Sequence, residues 1–446
     1  MRPILTPLAP KSARPLQVYL DSNDFSCFAE YLAGRGKPEF GLILDELERL
    51  IASGMIECRY SYIHIVEAAP VSEQAVRFAV ERAHAIERIC GHKTLAPYMN
   101  LPLIEAVGAL ADPSSNALPR DRAHMHGRND NGEWFPSFDV MMIEIADWIR
   151  LMIEDVGRAA TEHDPKLVLN RAMRRTLKKK AKPKAVERDF KKLLPEIWPT
   201  FEERIRTEFP LSDEGSSAWR RFCTGDVSVD EVSLAIAQDL SNLGEMMHWL
   251  APSGGPNLRT LPSWLREGGE TLMRGYTEHR EQLDELNRRT EAFLGEKEIR
   301  KLWDSQLPER RKGFSQCCIE IVLRFINEER PRIQRLGANP DEVRSLVATR
   351  GIDVLPSQKV MTELFVRNLQ KNIAPFEQRR KAAKIASDVG DMMHGWYMPF
   401  VDVMRVDGFG YQYMQAGAAL TETVLVDKIE KLIPTIRSML AARNAA

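Results

Sequence analysis

Both ends of the chain alternate strand and helix patterns, and neither end has enough strands to form a covered sheet alone. Near the amino end, 16–20 and 55–60 are apolar runs separated by helical periodicity. Near the carboxyl end, 400–406 is a similar run, and 424–426 predicts a short last strand. Strands separated by helices usually pair in parallel through right-handed crossovers. We therefore predict an α/β fold in which both chain ends share one parallel sheet flanked by helices.

The long middle of the chain has apolar residues at helical spacing and no convincing strand pattern. We therefore divide the chain into a first part of the sheet domain at 16–95, a large all-helical insertion at 96–385 and a second part of the sheet domain at 386–440. The long helices of the insertion are predicted at 138–160, 186–208, 229–250, 268–293, 311–328 and 357–383.

Composition restricts the class of protein. The chain has 62 basic and 63 acidic residues, so a nucleic-acid surface must be a local patch. Its six cysteines contain no C-x-x-C pair, which favours a reducing, cytoplasmic setting. We see neither a secretory signal nor an apolar run of membrane-spanning length, and we predict no membrane association.

Acidic residues follow the predicted strands from both chain ends. Asp21 and Asp407 each come directly after a strand. Glu67 lies in the helix after the second strand, and Asp391 lies near the start of a late helix. Ligands of open α/β sheets bind at the carboxyl edge of the strands, where these four carboxylates would repel one another. A divalent cation relieves this repulsion, and oxygen ligands favour Mg²⁺ or Mn²⁺, which commonly support phosphodiester hydrolysis.

Three segments resemble the acidic motifs of PIN-domain nucleases. They are VYLDSNDFS at 18–26, YSYIHIVE at 60–67 and DMMHGWYMPFVDVMRVD at 391–407. The resemblance covers roughly a third of the chain and implies a PIN-like sheet domain. It also implies metal-dependent endonucleolytic cleavage, more readily of RNA than of DNA. The residues that it assigns to metal binding and catalysis are Asp21, Glu67, Asp391 and Asp407.

Other polar residues near these motifs are candidates for supporting the four acids. Asn23 and Ser26 match polar positions after the first acid. His64 and His394 each lie one helical turn from an acid, where they would position water or phosphate or act as hydrogen-bonded supports. Asp388 shares a helix with the third acid and competes with it for that role.

Two positions in the last motif differ in kind from the four acids. Asp402 starts the strand before the final acid and is interpreted as a structural residue that supports the site from a distance. Arg405 stands two residues before that acid, where the nuclease family often has Thr or Ser.

The strongest charge feature is a basic run at 171–192, in which eleven Lys or Arg residues accompany two acids. We predict that this run contacts the phosphates of a nucleic-acid strand. The alternative interpretation is a solvated helix face broken at Pro183. The residues predicted to bind nucleic acid are Lys178, Lys179, Lys180 and Lys182.

Two competing interpretations remain. The chain could be a non-catalytic PIN-like scaffold whose helical insertion binds a protein partner or a second copy, although a scaffold has no need to keep four acids together. The pairs Glu81/His84 and Glu245/His248 have the E-x-x-H spacing of di-iron bundles, but no clear partner glutamates accompany them.

Overall fold

The computed structural model describes both chain ends and much of the region between them. The described residues are 14–98, 100–111, 128–129, 211–224, 242–251, 295–335, 337–373 and 390–445, together with individual positions between 198 and 294.

A four-stranded parallel sheet joins the two ends of the chain, which confirms the predicted pairing. In chain order the strands are β1 (Leu16–Tyr19), β2 (Ile56–Cys58), β3 (Thr94–Leu95), β4 (Arg128–Asn129), β5 (Val403–Arg405) and β6 (Val424–Val426). The order across this sheet is β2-β1-β5-β6. In β1, Val18 pairs with Cys58 on one side and with Val403 on the other. Every residue of β1 is buried, as expected of a central strand covered on both faces.

Helices account for most of the remaining described structure. In chain order they are α1 (Ser22–Leu32), α2 (Pro38–Ala52), α3 (Tyr62–Ala68), α4 (Val76–Cys90), α5 (Leu101–Ala111), α6 (Asp213–Thr224), α7 (Leu243–Trp249), α8 (Glu296–Ser305), α9 (Leu307–Glu328), α10 (Arg330–Arg335), α11 (Pro340–Arg350), α12 (Pro356–Ile373), α13 (Gly408–Ala418) and α14 (Leu432–Ala445). None of the described helices is both long enough and apolar enough to cross a membrane.

Helix α2 shows how local sequence defines an element next to the sheet. Pro38 occupies the first turn, where its missing N–H costs no hydrogen bond. Leu44 and Leu47 lie on one face and are almost completely buried in the core. Gly54 follows with φ of 69°, a conformation that favours glycine, and turns the chain into β2. The predicted alternation of strand and helix is therefore present here.

Two apolar cores are present among the described residues. The larger one surrounds the sheet and includes Phe28 of α1 and Ile436 of α14. The smaller one joins α5 to α9 and α11 through residues such as Val107. Within this helical part, Glu105 is buried and accepts hydrogen bonds from the backbone N–H and the hydroxyl of Ser357, both at 2.8 Å. Burial raises the pKa of Glu105 to about 8.

The prediction of an all-helical insertion is wrong at one described position. Strand β4 lies inside 96–385 and pairs antiparallel with β3, with Leu95 opposite Arg128. A strand of two residues is too short to show alternation, so periodicity does not reveal it. The helices predicted at 311–328 and 357–383 correspond to α9 and α12 over the described residues, whereas 138–160 lies outside them. The boundaries of the insertion stay predictions.

Candidate functional site

Asp21 directly follows the central strand β1 and forms the N-cap of α1. Its Oδ1 accepts a hydrogen bond of 3.0 Å from the backbone N–H of Asn23. The Asp24 side chain in turn accepts a bond of 3.1 Å from the backbone N–H of Asp21, which completes a capping box. The structural role of Asp21 as a cap therefore coexists with its position at the carboxyl edge of the sheet.

Asp407 has the same arrangement on the neighbouring strand. It follows β5, and its Oδ1 accepts a hydrogen bond of 2.6 Å from the backbone N–H of Gly410 in the first turn of α13. Because β1 and β5 are adjacent and parallel, Asp21 and Asp407 lie at the same edge of the sheet. Both line one recess of about 230 Å³ with Asp391 and His394.

Asp391 carries the strongest electrostatic signature of this recess. Burial raises its pKa well above the ordinary value, and the negative charges of Asp407, Asp21 and Glu67 raise it further. His394 opposes the shift only in part. The four acids of the predicted motifs are therefore near enough to repel one another, and they cannot all ionise without an additional positive charge.

Glu67 reaches the acids from α3 on the other side of β1. Its Oε2 lies 3.0 Å from Nε2 of His394, and its Oε1 faces the backbone of Gly390. Burial alone would raise the pKa of Glu67, but His394 outweighs burial and lowers it. Burial alone would likewise lower the pKa of His394, and Glu67 outweighs it and raises that pKa. The two side chains thus form a buried ion pair.

A continuous hydrogen-bonded chain leads from this pair into the core. Nδ1 of His394 lies 2.6 Å from the Tyr19 hydroxyl, which lies 2.7 Å from Oγ of Ser61. Ser61 in turn contacts Nδ1 of His64 at 3.3 Å. The chain fixes the position of His394 and, through it, the carboxylate of Glu67.

His64 closes the chain as a neutral ring. Its Nδ1 accepts a hydrogen bond of 3.0 Å from the backbone N–H of Ser61, and its Nε2 lies 2.8 Å from the carbonyl of Leu20. These partners place the single ring proton on Nε2. Burial lowers the pKa of His64 to about 3, and the neighbouring His394 lowers it in the same direction. His64 is therefore a support inside the core and does not contact the recess directly.

Arg405 brings a positive charge to the acids. Its Nη2 lies 3.0 Å from Oδ1 of Asp24, and its Nη1 lies 3.7 Å from Oδ2 of Asp21. Only 9% of its side chain is exposed, and it lines the same recess as the acids. Its Nε and Nη1 groups have no hydrogen-bond partner among the described residues.

Asp402 lies at the amino end of β5, away from the acids. Its Oδ2 accepts a hydrogen bond of 2.8 Å from the backbone N–H of Gln17, and its Oδ1 lies 3.4 Å from Nη2 of Arg443. Five residues of extended chain, about 16 Å, separate it from Asp407. The interpretation of Asp402 as a strand-pairing residue agrees with these contacts, and the structure does not bring it to the recess.

The other predicted residues contribute less to the recess or lie elsewhere. Asn23 contributes its backbone N–H, and its side chain is exposed. The Ser26 hydroxyl donates to the carbonyl of Ser22 within α1. Asp388 lies outside the described residues, so the choice between Asp388 and Asp391 as the third acid stays a prediction. The four lysines of the basic run also lie outside them: Lys178, Lys179, Lys180 and Lys182.

Four contributors to this site were missed at the level of sequence. Tyr19 and Ser61 resemble ordinary residues of a strand end and a helix cap, and only tertiary contacts identify their role. Gly390 is required because a side-chain carbon there would overlap Glu67. Arg405 offered a signal, since an arginine at the end of an apolar strand is unusual unless it has a partner.

The metal-binding patterns considered from the sequence are not preformed. No group of three or more His, Cys, Asp or Glu side chains is arranged to hold a metal ion within the part of the chain that the structure describes. Glu81 of the E-x-x-H pair on α4 instead forms ion pairs with Arg35 and Arg77. Comparisons with family models, curated proteins and solved structures found no match for this chain.

Proposed function

We propose that this chain is a PIN-like, metal-dependent nuclease that cleaves phosphodiester bonds internally, with RNA as the favoured substrate. The observation that carries the proposal is the meeting of Asp21, Asp391 and Asp407 in one recess at the carboxyl edge of a sheet built from both chain ends. Glu67 interacts electrostatically with Asp391 at the same edge. The resemblance of the three acidic segments to PIN-domain nucleases supports the same conclusion.

The donor set fits Mg²⁺ or Mn²⁺ in its chemistry. All four side chains offer hard oxygen ligands, and the raised pKa of Asp391 marks a carboxyl group that needs a further positive charge to ionise. The side chains that would hold the ion are Asp21, Asp391 and Asp407, with Glu67 oriented by His394. A bound ion would supply an activated water molecule and neutralise the phosphate.

The protein itself would orient these ligands and limit their freedom. The N-cap hydrogen bonds hold one oxygen each of Asp21 and Asp407 and leave the other oxygen for a ligand. The buried chain through Tyr19 fixes His394 behind Glu67. Such outer hydrogen bonds orient metal ligands in proteins generally. The proposed setting is the cytoplasm, and the described cysteines are all free thiols.

One observation favours the alternative of a non-catalytic scaffold. Arg405 lies near Asp21 and Asp24, and His394 pairs with Glu67, so two positive side chains already offset part of the acidic charge. A scaffold of this kind would use its helical region to bind a protein partner or a second copy. It would bind divalent cations weakly and would not cleave nucleic acid.

The experiment that decides is a nuclease assay combined with calorimetry. Purified protein is incubated with labelled single-stranded RNA and DNA, with Mn²⁺ or with a chelator, and Mn²⁺ binding is measured on the same preparation. A nuclease binds Mn²⁺ and cleaves internally only when the ion is present. Absence of both Mn²⁺ binding and cleavage in the folded protein would establish the scaffold interpretation instead.

A further inference from the structure

Arg405 occupies an unusual place for a buried arginine. It is the last residue of β5, two residues before Asp407, and its side chain enters the acidic recess. Its exposed fraction of 9% means that most of its charged group is removed from water. Burying an arginine is costly unless its charge and its N–H groups are satisfied.

The hydrogen bonds of Arg405 account for only part of its guanidinium group. A guanidinium carries five N–H donors and no acceptor. Nη2 reaches Asp24 at 3.0 Å, whereas Nη1 is 3.7 Å from Asp21, too far for a hydrogen bond. Nε and Nη1 therefore have unused donors that are buried at the recess. Unsatisfied buried donors of this kind are rare in proteins and are often completed by a ligand.

The contact with Asp24 gives the unused donors a fixed direction. Asp24 is itself buried, and its second oxygen accepts the backbone N–H of Asp21. The pair thus ties Arg405 to the N-cap of α1 by one edge of its fork. The other donors remain free to bind a group with two acceptor oxygens, which is how arginine binds phosphate.

A phosphodiester fits these donors better than another carboxylate does. The recess already holds the carboxylates of Asp21, Asp391 and Asp407, whose oxygens suit a hard cation. A phosphate has non-bridging oxygens that can contact a cation on one side and a guanidinium on the other. Arg405 would then hold the phosphate while the acids hold the cation, and like charges would not face each other.

We propose that Arg405 is a phosphate-binding residue of this site, whose unused N–H donors contact a non-bridging oxygen pair of the nucleic-acid strand. The proposal rests on the proposed nuclease function, because the cation is what brings a phosphate into an acidic recess. It assigns an active role to the position at which this sequence departs from the PIN-domain pattern. The competing explanation is that Arg405 only balances the charges of Asp21 and Asp24.

The test compares strand binding by matched arginine variants. Affinity for a labelled single-stranded RNA is measured by fluorescence anisotropy at several salt concentrations, with Ca²⁺ in place of Mg²⁺ and with the intact strand verified on a gel. The variants are Arg405→Met, Arg405→Lys and the control Arg437→Met, which removes an equal charge from a pair with Glu46 on α2. The double variant Asp24→Asn/Arg405→Met removes the buried pair together and protects against misfolding caused by an unpaired Asp24.

If the proposal is right, Arg405→Met and the double variant bind the strand roughly 10- to 100-fold more weakly, as expected when a charged hydrogen bond is removed. The salt dependence of binding falls by a slope of about 0.7, the value for one phosphate contact on a single strand. Arg405→Lys keeps the salt slope but has a lower affinity, since an ammonium cannot replace the planar fork. Arg437→Met binds like the wild type.

The outcomes separate this proposal from the nuclease function. If the wild type cleaves RNA with Mn²⁺ but Arg405→Met and the double variant bind like Arg437→Met, then Arg405 is only a counter-ion and the proposal fails. If binding depends on Arg405 but no variant or wild type cleaves with Mn²⁺, the phosphate contact stands and the nuclease function fails. A wild type that does not bind the strand at all overturns the phosphate contact.

Discussion

Oε1 of Glu67 occupies the place that a side-chain carbon of residue 390 would take, although Glu67 and Gly390 come from opposite ends of the chain. The absence of a side chain at Gly390 therefore allows Glu67 to reach His394 and Asp391. The acidic recess depends on backbone geometry as well as on the four carboxylates.

Gly390→Ala tests this dependence. We expect the carboxylate of Glu67 to move, because it is the end of a flexible side chain, while the backbone stays in place. Mn²⁺ affinity should fall roughly 10- to 100-fold, as it does when groups that support metal ligands are removed. Gly313→Ala is the control, because nothing lies within 4 Å of its new carbon on α9. Unchanged Mn²⁺ affinity in Gly390→Ala would show that Glu67 is not held by this contact.

Asp21→Asn and Asp407→Asn test the two acids at the strand ends. Each change removes an anionic ligand but keeps an N-cap acceptor, since Asn caps helices as well as Asp does. We expect cleavage to fall at least roughly 100-fold, as for other groups that stabilise charge in a transition state. Stability without metal should hold or rise because repulsion with Asp391 decreases. A folded variant that cleaves RNA at the wild-type rate contradicts the assignment.

Asp402→Ala separates structural from catalytic acids. The change leaves the buried N–H of Gln17 without its acceptor and removes the partner of Arg443. The free energy of unfolding should decrease by about 1–3 kcal/mol. Cleavage per folded molecule should be unchanged, because Asp402 lies at the other end of β5. Urea unfolding and a nuclease assay on the same sample provide both values.

Tyr19→Phe tests the buried chain behind Glu67. The change removes the hydroxyl between His394 and Ser61 and leaves Nδ1 of His394 without a partner. We expect the free energy of unfolding to fall by about 1–3 kcal/mol and the pKa of His394 to fall from its raised value. The pKa is measured by NMR titration of the imidazole signals. An unchanged His394 titration would show that Tyr19 does not control the ion pair with Glu67.

Glu105 predicts a pH dependence that is independent of the candidate site. Its pKa is raised to about 8 in the folded protein, so the folded state binds the proton more tightly than the unfolded state. Its contribution to stability is complete below its ordinary pKa and is lost as pH rises through about 8, with a slope of at most about 1.4 kcal/mol per pH unit. Urea unfolding from pH 5 to 9 should show this decline in the wild type, and the neutral Glu105→Gln variant should lack that part of it.

The basic run predicts a change in salt dependence. Replacing Lys178, Lys179, Lys180 and Lys182 with Gln should weaken binding to every RNA sequence similarly, since phosphate contacts carry no base information. The salt slope should decrease by about 0.7 for each phosphate that the variant no longer binds. The maximal rate at saturating substrate should change little. An unchanged salt slope would establish the solvated helix face.

Much of the sheet was predictable because its strands carry simple signals. The apolar runs before Asp21 and Asp407 are short, isolated and β-prone, and two incomplete sets of strands are most economically combined into one sheet. Strands β3 and β4 were not predictable, since two residues cannot show a period. Glu105 was detectable in principle, because it is the single charge in the otherwise apolar helix α5.

The acids of the site were predictable one element at a time, but their support was not. Each acid follows a strand or lies in a helix, so its approximate place comes from chain order. The contacts of Tyr19 with Ser61 and His394 join residues that are far apart in sequence, and no local pattern encodes them. The unused donors of Arg405 are likewise a property of three-dimensional packing alone.

The sheet built from two chain ends has a consequence for protein synthesis. Gln17 meets its partner Asp402 385 residues later, so β1 waits about 20–80 s for β5 at ordinary elongation rates of about 5–20 residues per second. During that time one edge of β1 is an open template for wrong pairing, which makes this chain a natural client of chaperones. The acidic recess also cannot form while the carboxyl-terminal strands are still inside the ribosome. If the proposed nuclease function is right, a nascent copy is therefore unable to attack the messenger RNA that encodes it.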